Sequence, residues 1–131
     1  SEHTPFLWAD NVLGGEENWN SVHLINKQTL ELDRIITVGT TQGTVTDPVT
    51  HKTLYKWKVP TVKDKDGKAV TPRILHAEPA NHGYWTMISE WNCGRIGIYE
   101  SKTGKFVKYI KGLTTPTFTY SIEHRQTIPG A

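Results

Sequence analysis

Three short strand patterns separated by turn residues, between His82 and Thr117, constrain this chain more than any other feature. The run opens with YWTMIS, where β-branched and aromatic residues crowd together, and reaches Glu90-Trp91-Asn92 before a turn at Asn92-Cys93-Gly94. RIGIYE follows, with Ile96 and Ile98 on one face. Ser101-Lys102-Thr103-Gly104 makes a second tight turn, and KFVKYIKG returns with Phe106, Lys108 and Ile110 on one side. Strand, turn, strand, turn, strand with period-two alternation spells an antiparallel meander. No helix-period stripe competes with it, so the expected class is all-β.

The same pattern recurs upstream. SVHLINKQTLELDRIITVG, from Ser21 to Gly39, aligns with the meander at a constant offset of 74 positions: Val22 with Ile96, Leu24 with Ile98, Thr29 with Thr103, Leu32 with Phe106, Ile36 with Ile110. Repeated units of a few antiparallel strands are the sequence form of propeller blades. The reading is one partial β-propeller over 1–131, with blade units at 5–39 and 75–127. Segments 21–39 and 95–112 are expected to share one strand–turn–strand geometry. The offset exceeds the roughly 40–50 residues of a usual blade repeat, which leaves 40–74 as an insertion. There KTLYKWKV alternates Thr53, Tyr55, Trp57 and Val59 onto one face, Asp47-Pro48 reads as a turn, and Asp66-Gly67 is a two-residue hairpin signal. The spacing predicts a two-stranded arm over 52–74 turning at Asp66-Gly67, with Pro60 and Pro72 marking edge positions. Open blade edges predict self-association or a partner that completes the ring.

Composition narrows the function classes. The 131 residues carry 36% hydrophobic side chains, five Trp, five Tyr and a formal charge of +2. The lysines are scattered along strand-like segments, a solvated face or guarded edges rather than a basic patch; only KTLYKWK interleaves base and aromatic, so no nucleic-acid partner is expected. Cys93 is the one cysteine, which excludes an internal disulfide and a covalently attached c-type haem. No apolar run approaches membrane-spanning length. The chain opens at Ser1 without a signal-peptide pattern, as a processed chain or a fragment would. No His, Asp or Glu pair stands at metal-ligand spacing. Ser89 lacks the glycine-flanked elbow of a hydrolase nucleophile. Cys93 has Arg95 nearby to lower its pKa but no adjacent His. No catalytic residue is assigned.

From Leu75 to Thr127 the residues resemble the C-terminal end of the propeller that holds haem d1 in cytochrome cd1-type nitrite reductases and their relatives. The resemblance rests on an ordered set: His76, Pro79 and Asn81-His82-Gly83; Ser89, Trp91 and Asn92; Ile96 to Thr103; and Thr115-Pro116-Thr117 followed by Tyr120. PFLWAD and SVHLINKQTLEL resemble the family's preceding strands, while 40–74 has no counterpart. The resemblance implies an eight-bladed propeller with haem d1 in its central channel, reducing nitrite to nitric oxide in the periplasm. It also implies that the axial and proton-delivering histidines come from earlier blades, which a parent chain, a second subunit or further copies would supply. The wall contacts it implies here are His76 (the family usually has Gln), Trp91, Thr115, Pro116 and Thr117. Phe118 stands where the family usually has Gly. Other readings stay open. Trp91 suits stacking on a macrocycle, or a blade core; His76 suits a donor to a haem carboxylate, a proton carrier, an axial ligand, or an ordinary loop residue. Phe118 and His76 favour a non-catalytic haem d1 carrier or maturation protein on the same fold. A small β-rich binding or assembly module, working through its Lys-rich 52–68 hairpin without a cofactor, is the third reading.

Overall fold

The computed structural model describes residues 4–114 and Pro116. The described residues are all-β, with eleven strands and two single-turn 3-10 segments. Strands β1 (Phe6–Asp10), β2 (Ser21–Asn26) and β3 (Leu32–Thr37) form one antiparallel sheet in chain order. Strands β8 (Ile74–Ala80), β9 (Trp85–Glu90), β10 (Arg95–Glu100) and β11 (Phe106–Ile110) form a second, again in chain order. The segment between them holds two separate hairpins, β4 (Thr40–Thr46) with β5 (Thr53–Pro60), and β6 (Val62–Lys63) with β7 (Ala69–Val70).

The repeat expected from the sequence extends to register. Leu24 faces Arg34 and Ile25 faces Leu32, with a bulge between the two pairs. At the equivalent place Ile98 faces Lys108, Tyr99 faces Phe106, and the same bulge intervenes. The connecting turns also match. Leu30 N–H donates to the Asn26 carbonyl at 2.8 Å, and Gly104 N–H to the Glu100 carbonyl at 2.8 Å. Thr29 Oγ1 accepts from Glu31 N–H and Thr103 Oγ1 from Lys105 N–H, at 3.3 and 3.2 Å. Both turns need a left-handed residue, Leu30 with φ 60° and Gly104 with φ 76°. Glycine tolerates that conformation at no steric cost; leucine does not.

Cross-strand partners lie on one face of a sheet, so each sheet has a forward and a rear face. Phe6, Trp8, Val22, Leu24 and Ile36 make the forward face of the first sheet and pack on the rear face of the second, where Ile74, Ala77, Ile88 and Tyr99 stand. Val22, Leu24, Ile74 and Ile88 have no solvent exposure, so the core lies between the two units. Polar stitching closes one end of this interface. Thr4 Oγ1 donates to the Ser101 carbonyl at 2.6 Å, and the Thr86 and Ser101 hydroxyls bond at 2.7 Å with all three residues buried.

The arm between the units differs from expectation. The alternation of 53–59 holds, but β5 pairs with β4 and not with 68–74. Asp66-Gly67 joins only the two-residue strands β6 and β7. The reason is local chemistry. Asp47 Oδ1 accepts the Val49 and Thr50 N–H groups at 2.8 and 2.7 Å, Thr50 Oγ1 accepts from Lys52 N–H, and His51 takes φ 59°. This is the turn of the two repeats a third time, and it closes the longer ladder. Asp66-Gly67 instead sits in a wider loop, where Asp64 Oδ1 accepts from Asp66 and Lys68 N–H, both at 2.9 Å. Trp57 lies across Gly43, where a Cβ would come within 2.5 Å of the indole.

Candidate functional site

In a meander, strand ends alternate, so the β9–β10 turn, the start of β8 and the exit of β11 come together at one end of the second sheet. His76 lies on β8, within its irregular register against β9, and its backbone N–H donates to Ser89 Oγ at 3.1 Å. Its Nδ1 stands 3.9 Å from Asp10 Oδ2 on the neighbouring unit. Trp91 begins the 3-10 turn after β9, and its N–H donates to the Arg73 carbonyl at 2.9 Å. Asn92 clamps the approach to β8: Arg73 N–H donates to Asn92 Oδ1 at 2.8 Å, and Asn92 Nδ2 donates to the Thr71 carbonyl at 2.9 Å. Leu113 N–H then donates to the Gly94 carbonyl at 2.9 Å, bringing the exit from β11 to the same turn. A Cβ on Gly94 would meet the Leu113 carbonyl oxygen at 2.3 Å, so only glycine fits there. Pro116 follows, half-buried. Thr115, Thr117 and Phe118 lie outside the described residues.

Beneath this end is a buried charge pair that sequence reasoning missed. Glu90 is fully buried and faces Arg95 across β9–β10, with Arg95 Nε donating to Glu90 Oε2 at 2.5 Å. Arg95 also lies 3.9 Å over the Tyr109 ring. Glu90 Oε1 and Arg95 Nη2 are buried without a hydrogen-bond partner among the described residues. Burial holds the Glu90 carboxyl above its ordinary range, with Arg95 opposing. Burial and the Glu90 charge push the Tyr109 hydroxyl up to about 12. The same causes push the Cys93 thiol up to about 11, so the expected activation by Arg95 is overridden. The signal for the pair was present: opposite charges flank the Asn92-Cys93-Gly94 turn and must meet across the hairpin.

A second polar hub ties the β4–β5 hairpin to this end. Asn20, with no exposure, donates from Nδ2 to the Val38 carbonyl at 2.7 Å and to Thr40 Oγ1 at 3.0 Å. Lys58 Nζ donates to Asn20 Oδ1 at 2.5 Å and to the Glu17 carbonyl at 2.8 Å. Burial lowers the Lys58 pKa, against the pull of Glu16 and Glu17. At the opposite end of the sheets a cleft of about 1020 Å³ is lined by Asn26, Lys27, Asn81, Tyr84 and Glu100, and its lining includes neither His76 nor Trp91.

Among the described residues no group of three or more His, Cys, Asp or Glu could hold a metal ion. No helix there is long and apolar enough to cross a membrane. Compared with known proteins, the chain matches no family model, no curated protein and no solved structure.

Proposed function

We propose that the chain forms two neighbouring blades of a haem d1-binding β-propeller of the nitrite reductase type, with the other blades supplied by a parent chain or by further subunits. One observation carries the blade reading. The forward face of the first sheet is buried on the second sheet, while the equivalent residues Ile96, Ile98 and Ile110 of the second sheet are half-exposed, Ile110 at 41%. A face that is core in one copy and open in the next is what a stack of blades leaves at its end.

The residues available fit wall contacts to a macrocycle. Trp91 is 37% exposed, so its indole is not committed to a core. His76 is 48% exposed on the strand that would line a channel, beside the Asp10 carboxylate. Bound haem d1 would supply the electron chemistry that converts nitrite and protons to nitric oxide and water. The Trp91 ring would pack on the macrocycle, and the His76 imidazole would donate a hydrogen bond to a haem carboxylate. This reading assigns the chain to the periplasm and gives it no axial ligand. His76 in place of the family's Gln favours, as a second reading, a carrier that binds haem d1 without turnover.

Titrating haem d1 into the protein, with its missing blades, and following the absorption spectrum tests the proposal. Trp91→Ala should weaken affinity by roughly one to three orders of magnitude, from lost stacking and burial. Trp57→Ala, in the inserted hairpin, should leave it unchanged. Equal effects from both, with circular dichroism intact, would make Trp91 a packing residue only. Nitrite turnover against haem transfer to an acceptor protein separates reductase from carrier.

A further inference from the structure

The cleft of about 1020 Å³ at the Asn81–Glu100 end stands apart from the haem d1 reading, and we propose that it binds a neutral sugar, as a single pyranose or a short oligosaccharide. Both units contribute to its lining, and hydrogen bonds hold its walls from within. On one side Lys27 N–H donates to the Pro5 carbonyl at 2.9 Å. On the other, Tyr84 N–H donates to the Asn81 carbonyl at 3.1 Å and Ser101 N–H to the Tyr84 carbonyl at 2.9 Å. Thr4 Oγ1, donating to the Ser101 carbonyl at 2.6 Å, ties one wall to the other. The cleft is therefore built into the fold, as preformed small-molecule sites are, and its volume suits a ligand of one to a few rings. Asn81 and His82 hold left-handed backbone in succession, with φ 48° and 56°. Such a run is costly for residues with side chains, and backbone strain of this kind collects at ligand sites. Here it leads the chain into Tyr84 and Trp85, on the cleft wall.

The side chains on offer select the ligand. Trp85 and Glu100 are cross-strand partners, so the indole and the carboxylate stand side by side on one face. Trp85 is 38% and Tyr84 54% exposed, which leaves ring surface open for contact. One carboxylate oxygen of Glu100 accepts from Thr103 Oγ1 at 2.5 Å; this fixes the group and leaves its other oxygen to accept. Asn26 is fixed in the same way: its Oδ1 accepts from Gln28 and Thr29 N–H, so its Nδ2 remains a donor. A pyranose has an apolar C–H face, which packs on an aromatic ring, and a belt of hydroxyls that need donors and acceptors around its edge. Aromatic rings bordered by a carboxylate, the Asn26 and Asn81 amides and the Lys102 ammonium answer both needs. Other ligand classes fit less well. Glu100 repels an anion, and Lys27 and Lys102 repel a cation. A wholly apolar ligand would strip water from these groups without replacing its hydrogen bonds.

The test is calorimetric titration of the full chain with glucose, galactose and N-acetylglucosamine, and with their di- to tetrasaccharides. A single ring should bind with a Kd of roughly 1 mM, tightening by about tenfold where a second ring engages. Trp85→Ala should weaken the best of these ligands by about tenfold or more, and Glu100→Gln by roughly threefold to tenfold. Trp57→Ala, in the β4–β5 hairpin, should leave affinity unchanged. If circular dichroism shows that Trp85→Ala disturbs the fold, Tyr84→Ala and Lys102→Ala, both at exposed positions, should weaken binding instead. No saturation with any of these sugars well above the expected Kd would overturn the proposal. So would unchanged affinity in the folded cleft variants, or tighter binding of glucose 6-phosphate or glucosamine, the charged counterparts, than of glucose.

Discussion

The β2–β3 and β4–β5 hairpins close on the same turn and meet different fates. In both, an Asn or Asp side chain accepts two backbone N–H groups, a Thr three positions on accepts a third, and the next residue is left-handed. Yet Val22 and Leu24 have no exposure, whereas Tyr55 is 59% exposed and Trp57 40%. The hairpin is therefore specified locally, and membership of the core is decided by what lies across the face. A second sheet covers the forward face of β2. Among the described residues no sheet covers the β4–β5 face, which is held through Asn20, Lys58 and Thr40.

Breaking the tie in each region should show the difference most strongly. Arg95→Ala strands the Glu90 carboxylate in the interior and should cost about 3–5 kcal/mol, as expected when one partner of a buried pair is removed. Lys58→Ala leaves Asn20 Oδ1 without its donor and should cost roughly 1–3 kcal/mol. Urea unfolding measures both. The raised Glu90 pKa also fixes a direction with pH. The folded chain holds that proton above the pH at which the unfolded chain loses it, so this contribution is fully present below the ordinary carboxylate value. It is lost as pH rises through the raised one. Stability of Arg95→Ala should fall further with pH than that of the wild type; equal slopes would mean that the carboxyl is not held by Arg95.

Core truncation sharpens the comparison next. Leu24→Ala should cost about 2–5 kcal/mol, with a cavity between the sheets. Tyr55→Ala, on the open face, should stay within about 0.5 kcal/mol. A large loss from Tyr55→Ala would reveal a covering partner in solution. The smallest effect belongs to the shared turn. Leu30→Gly and His51→Gly each relieve a left-handed residue costing about 1–2 kcal/mol, offset by glycine's extra entropy of roughly 0.5–1 kcal/mol. A gain of about 0.5–1 kcal/mol in thermal unfolding should appear in both hairpins, because the turn is local.

Much of this architecture was legible in the chain. The meander and the offset of 74 positions read correctly because period-two alternation and turn residues act over a few neighbours. The pairing of 53–59 was misread because Asp66-Gly67 is a familiar hairpin signature, while Asp47-Pro48-Val49-Thr50 hides the common turn behind Pro48 and a left-handed His51. The burial of Glu90, unlike its pairing with Arg95, was opaque for a different reason. A strand-end Glu is usually solvated, and only the packing of the first unit over the rear face of the second buries it. His76 lies on β8 and Trp91 in the turn after β9, and their links to Asp10 and Arg73 depend on contacts between segments apart in sequence.

We propose that the His76–Trp91 end, and not the Asn81–Glu100 end, would face bound haem d1. Indole N–H resonances of the tryptophans, followed by NMR while haem d1 is added to the protein with its missing blades, test it directly. The account predicts a large shift or broadening at Trp91 with Trp57 and Trp85 unchanged. Perturbation of Trp85 with Trp91 silent would contradict it.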